Sequence, residues 1–132
     1  MGRLATGIGL GAILATAAFA EDPESAKAPS ISSAALHARS DSETALVVID
    51  VRTPAEYASG HIPGAVNIPV DQVAKQIAEI DAPHGVALYC VVGPRARKGE
   101  SALLAAGYEQ VFHLEGGLAA WQAAGLPIEV TQ

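Results

Sequence analysis

The chain has 132 residues, half of them hydrophobic, which is room for one domain with a buried core. A formal net charge of -6 excludes nucleic acid or an anionic membrane surface as a general partner, because either would repel the protein as a whole. The single cysteine, Cys90, excludes a disulfide within the chain.

Residues 1–20 carry the pattern of a cleavable export signal. Arg3, an apolar segment over residues 8–18 and Ala18-Phe19-Ala20 before acidic Glu21-Asp22 predict a cut after Ala20. The apolar segment is shorter than the ~20 residues a membrane span needs. No cysteine stands near the cut, which excludes a lipoprotein, and no twin arginine is present. The expectation is a soluble protein, periplasmic or otherwise exported, without stable membrane association after cleavage; an uncleaved anchor is the weaker alternative, since the uncharged stretch over residues 4–20 comes within reach of that length. Residues 21–30, rich in Pro, Ala, Ser and charge, read as a flexible leader, and residues 31–130 as the domain.

Ser32 or Ser33 can cap a short helix running to Arg39, followed by a polar turn. Ala45-Leu46-Val47-Val48-Ile49-Asp50-Val51 has the continuous apolar pattern of a strand buried on both faces, with an acid near its end. Thr53-Pro54-Ala55-Glu56 is a capping box with proline at the first helical position, and Gly60 suits the stop. A turn over residues 61–65 leads to a short strand at 66–68, ended by Pro69. Val73, Ile77 and Ile80 predict a helix over residues 71–80. Val86-Ala87-Leu88-Tyr89 is a further strand, stopping at Cys90; a loop with Gly93 and Pro94 follows. The next helix, 96–106, is expected to turn Gly99, Ala102, Leu103 and Ala106 to the sheet and to stop at Gly107. A last strand at 111–114 and a last helix at 118–124 complete an α/β pattern with a mainly parallel sheet of four to five strands. Ligand sites in such folds lie at the C-terminal strand ends, where Asp50 and Cys90 fall.

A thiol between a strand end and a helix start sits where backbone N–H groups and the positive end of a helix converge, which favours the thiolate. In an exported chain a lone cysteine is an inert core residue, an intermolecular partner or a reactive thiol, and this position favours reactivity. Arg95, Arg97 and Lys98 form a local cationic cluster beside it in an otherwise acidic chain. Asp50 reads as a structural acid paired with Arg52 or with loop amides, and His61 as the source of a turn-fixing hydrogen bond. His37, His84 and His113 lack ligand spacing, so no metal is expected.

Several segments together resemble a single-domain rhodanese: Val48-Ile49-Asp50-Val51-Arg52 with Glu56-Tyr57, then residues 60–69 from Gly60-His61-Ile62 to Ile68-Pro69. The resemblance continues through Tyr89-Cys90 and the loop to Arg95, Leu114-Glu115-Gly116-Gly117, and Trp121. It implies a three-layer fold and a sulfurtransferase in which Cys90 carries a persulfide. The loop residues Val91, Val92, Gly93 and Arg95 would bind the substrate, with Asp50, Arg52, His61, Arg97 and Lys98 in support and no cofactor. Its partners would be a small anionic sulfur donor such as thiosulfate and a thiol or cyanide acceptor, a protein acceptor included. Phosphatases and arsenate reductases of this fold carry five residues between cysteine and arginine; here there are four. A partner-binding module without catalysis is the other alternative. Val91 and Val92 stand where members often carry polar residues, and Pro94 has no N–H to offer.

Overall fold

The computed structural model describes residues 27–131. The signal-like residues 1–20 and residues 21–26 of the expected leader lie outside the described residues. Five strands, β1 (Ser30–Ile31), β2 (Val47–Asp50), β3 (Val66–Asn67), β4 (Val86–Tyr89) and β5 (Val111–Leu114), form one sheet in the order β1-β5-β4-β2-β3. Every pairing is parallel. The central strand β4 is buried along its whole length, as its uninterrupted apolar sequence requires.

Helices cover both faces. Leu36 of α1 (Ser33–Arg39) and Leu118 and Trp121 of α5 (Gly117–Ala123) pack with Ala87, Tyr89 and Leu114 on one side. On the other, Val73 of α3 (Val73–Gln76) and Ala96 and Leu103 of α4 (Pro94–Ala105) pack with Ile49, Leu88 and Val111. The helix α2 (Pro54–Ser59) opens with the capping box: Thr53 Oγ1 accepts from the Glu56 N–H and the Glu56 carboxylate accepts from the Thr53 N–H. Among the described residues no helix is long and apolar enough to cross a membrane.

Three features depart from the expectation. The end of the expected leader is part of the domain: Ala28 is buried, and Ser30 and Ile31 pair with His113 and Leu114. Two residues suffice there because β5 offers its free edge and Arg97 ties down the Ala28 carbonyl at 2.8 Å. The helix expected over 71–80 is broken into a 3-10 turn (Val70–Gln72), α3 and a second 3-10 turn (Ile77–Glu79). Its apolar face fastens only Val73 and Ile77 fully, and the β-branched residues bracketed by Pro69 and Pro83 leave the flanking turns to tighten. Finally, α4 starts at Pro94, two residues early, because proline suits the first helical position. Its buried stripe is Ala96, Gly99, Glu100 and Leu103, while Ala102 and Ala106 face solvent. A Cβ on Gly99 would lie 3.0 Å from Leu88, so glycine sets how closely α4 approaches β4.

Candidate active site

Cys90 follows directly on β4 at the C-terminal edge of the sheet and is 2% exposed. Its side chain joins the α4 side of the core, and the Ala96 N–H, in the first turn of α4, donates to Sγ at 3.4 Å. The loop from Val91 to Gly93 bridges the two elements, and the Gly93 carbonyl accepts from the Arg97 N–H. The outer side of the loop is held by α5: the Leu118 and Ala119 N–H groups donate to the Cys90 and Val91 carbonyls at 2.9 and 3.0 Å. Gly117 makes this contact possible. It has φ +62°, and a Cβ there would fall 2.5 Å from the Val91 oxygen.

The mouth of the loop is apolar. Val91 and Val92 are 40% and 58% exposed, and Pro94 next to them brings no N–H. Arg95 spends its fork on Glu56, with Nη1 and Nη2 at 2.8 and 3.1 Å from the two carboxylate oxygens. That bond, aided by the Thr53 N–H, holds the Glu56 carboxyl down at about 2, and in turn raises the Arg95 guanidinium. Charge on Cys90 also favours the Arg95 cation, so the two lie within electrostatic reach. Lys98, exposed, stands 3.9 Å from Asp71.

Asp50 and Arg52 lie behind the loop. Arg52 Nε and Nη2 donate to the Asp50 carboxylate at 2.9 and 2.6 Å, and Nη2 also to the Gly60 carbonyl at 2.7 Å. Burial opposes the guanidinium charge, but the Asp50 carboxylate outweighs it and raises the Arg52 pKa. The Tyr89 hydroxyl donates to Asp50 at 2.7 Å and accepts from the Ile62 N–H. Burial and Asp50 push that hydroxyl well above its ordinary range. His61 is buried, stacked on Tyr57 at 3.7 Å, with Nδ1 2.7 Å from the Tyr57 carbonyl. These groups brace the turn after α2, and none of them meets the sulfur.

Of the residues singled out in the sequence, Val91, Val92 and Gly93 form the loop, with Cys90 at its start and Arg95 in the first turn of α4 just past it. Asp50, Arg52 and His61 form its support, Arg97 lies beneath it, and Lys98 stands apart on the surface. Three participants escaped: Glu56 as the partner of Arg95, and the buried pair Glu100 and His113 under α4. Read from Pro94, the stripe 96, 99, 100 and 103 would have placed a glutamate at a core position and flagged it. A cavity of about 720 Å³, lined by Leu36, Leu46, Val48, Ile62 and Trp121 among others, does not include the cysteine loop.

Fold and site together define a parallel α/β domain that sets one cysteine between a strand end and the first turn of a helix. The sequence matches the Rhodanese-like domain family over residues 32–124, and the chain belongs to that family. It is 41% identical over 88 residues to a sulfurtransferase of Allochromatium vinosum, a match covering 67% of this chain and 81% of that one. It is 32% identical over 79 residues to the thiosulfate sulfurtransferase GlpE of Pseudoalteromonas translucida, covering 60% and 75%. The rhodanese-like domain of an Anabaena protein superposes with a TM-score of 0.69 at 32% identity, covering 77% of this chain and 79% of that domain. Other relatives are longer, and the chain spans 50% of one and 38% of another. Sulfur transfer in general, by a rhodanese-type enzyme, is thus the activity of the family to which the chain belongs.

Proposed function

We propose that the protein moves a sulfane sulfur through a persulfide on Cys90. The Cys90 thiolate attacks the outer sulfur of a donor R–S–S⁻ or of thiosulfate. The donor's S–S bond breaks, the thiolate or sulfite leaves with its electron pair, and a new S–S bond stands on Cys90. An acceptor thiolate or cyanide then attacks the outer sulfur and restores Cys90. The observation that carries this reading is the setting of Sγ under the Ala96 N–H, in a loop whose carbonyls are bound outward by α5. Both the thiolate and the persulfide anion gain from such fixed donors.

Of the two donor classes, the mouth favours an organic persulfide with an apolar body. Val91 and Val92 offer apolar surface, Pro94 removes one donor from the cradle, and the charge of Arg95 is already met by Glu56. The same apolar rim supports a second reading, a module that docks a protein partner and transfers nothing.

The test is an intact mass after incubation with an alkyl persulfide and, separately, with thiosulfate. The expected result is the gain of one sulfur atom, faster from the alkyl persulfide and abolished by Cys90→Ser. No adduct from either donor would overturn catalysis and favour the docking module.

A further inference from the structure

Beneath the Cys90 loop lies a buried group of titratable side chains that the sulfur relay does not use. Glu100 is 1% exposed and faces the sheet from α4. Its Oε2 lies 2.7 Å from Nδ1 of His113, and its Oε1 lies 3.3 Å from Nη1 of Arg97. His113 belongs to β5, in register with Leu88, two residues before Cys90, and it faces the same side of the sheet as Cys90. The far edge of its ring borders the loop: a Cβ built on Gly93 would lie 3.6 Å from Cε1 and 3.7 Å from Nε2. The pair therefore joins α4 to β5 under the residue that closes the loop and caps the helix.

Burial pushes the Glu100 carboxyl up to about 8, with Arg97 opposing. Burial and Arg97 push His113 down, with Glu115 opposing. Burial thus disfavours charge on both partners of the Oε2–Nδ1 contact. When Glu100 loses its proton, a negative charge appears beneath the loop. The groups in contact with it are Arg97 on α4 and His113 on β5, with Glu115 past β5 acting on His113. The β1 segment contributes only the Ala28 carbonyl and the Ser30 hydroxyl, both bound to Arg97.

We propose that Glu100 and His113 are positioning residues for the Cys90 loop: the pair seats Gly93 and the first turn of α4 on β5, and its charge state tunes how readily Cys90 reacts as an anion. The inference rests on the sulfur-transfer reading for its purpose, but its test needs no sulfur donor. Alkylation of Cys90 by iodoacetamide, a neutral reagent, is followed by intact mass across the pH range for wild type and Glu100→Gln. The variant keeps the shape and neutrality that Glu100 has at low pH. Its rate relative to wild type is expected to stay near one while Glu100 is protonated, to climb up to about fivefold where Glu100 has ionised and Cys90 has not, and to return to one once Cys90 is a thiolate in both. A ratio that stays flat while the wild-type rate is still rising above the Glu100 midpoint overturns the proposal. If Glu100→Gln does not fold, the wild type decides. By reciprocity the NMR midpoint of the Glu100 carboxyl falls once Cys90 is capped, and an unmoved midpoint is equally fatal. Both results holding while no donor loads Cys90 would leave the pair standing and sink only the proposed function.

Discussion

Two buried carboxyl groups flank strand β4 on opposite faces of the sheet, and they are held in opposite ways. Asp50, on the α5 side, takes a forked guanidinium from Arg52, the Arg52 backbone N–H and the Tyr89 hydroxyl. Glu100, on the α4 side, takes an imidazole and one arm of a guanidinium that also serves the Ala28 carbonyl. Arg52 is a permanent cation, so the first cluster is an ion pair fixed by geometry. His113 is a weak base that burial weakens further, so the second cluster holds a proton it can lose. The sheet thus sets a rigid brace on one side of the cysteine strand and a titratable one on the other.

The comparison breaks most easily at Asp50. Asp50→Ala would leave the Arg52 guanidinium, 5% exposed, without its carboxylate and the Tyr89 hydroxyl without its acceptor. The expected loss is about 3–5 kcal/mol of unfolding free energy in urea. A loss near ~0.5 kcal/mol would mean that the cluster is worth no more than a surface pair.

At Glu100 the expected effect is smaller and depends on pH. The folded-state pKa, about 8, lies above the ordinary 4.5, so between these values the folded chain holds a proton that the unfolded chain has released. Wild-type stability therefore declines as pH rises through that window, while His113, lowered on folding, works the other way only around and below its ordinary 6.5. Glu100→Gln removes the decline. Its stability relative to wild type should improve by on the order of 1–3 kcal/mol between about pH 5 and about pH 8, measured by urea unfolding at each pH. Parallel curves would show that Glu100 is already ionised in the fold, and the contrast between the two faces would vanish.

The first cluster was legible in the sequence and the second was not, for a physical reason. Asp50 and Arg52 are neighbours in the chain, so a strand end and a tight turn bring them together whatever the rest of the fold does. The capping box at Thr53 and the cysteine loop are local in the same sense, and both strands and loop stand where the periodicity puts them. Glu100 and His113 are 13 residues apart on different elements, and they meet only where α4 packs on β5. The expected and observed stripes of α4 share Gly99 and Leu103, but the buried face is turned by about 60° towards Ala96 and Glu100, which hides a glutamate in the core. The short edge strand β1 was missed because two residues leave no periodicity to see.

A third carboxylate, Glu56, extends the comparison to the surface and carries the smallest effect. Its bidentate bond to Arg95 resembles that of Asp50 to Arg52, but its side chain is 36% exposed and that of Arg95 37%. Solvent screening reduces such a pair to about 0.5 kcal/mol despite the large fall in the Glu56 pKa. Because that pKa falls on folding from 4.5 to about 2, the contribution is present above about 4.5 and is lost as pH drops through about 2. Glu56→Gln should cost about 0.5 kcal/mol near neutral pH, with a shallower acid limb than wild type in thermal melts. Superimposable acid limbs would show that Glu56 does not hold Arg95 in solution. The guanidinium would then be free to turn to the Cys90 loop, and thiosulfate would regain its standing as the donor.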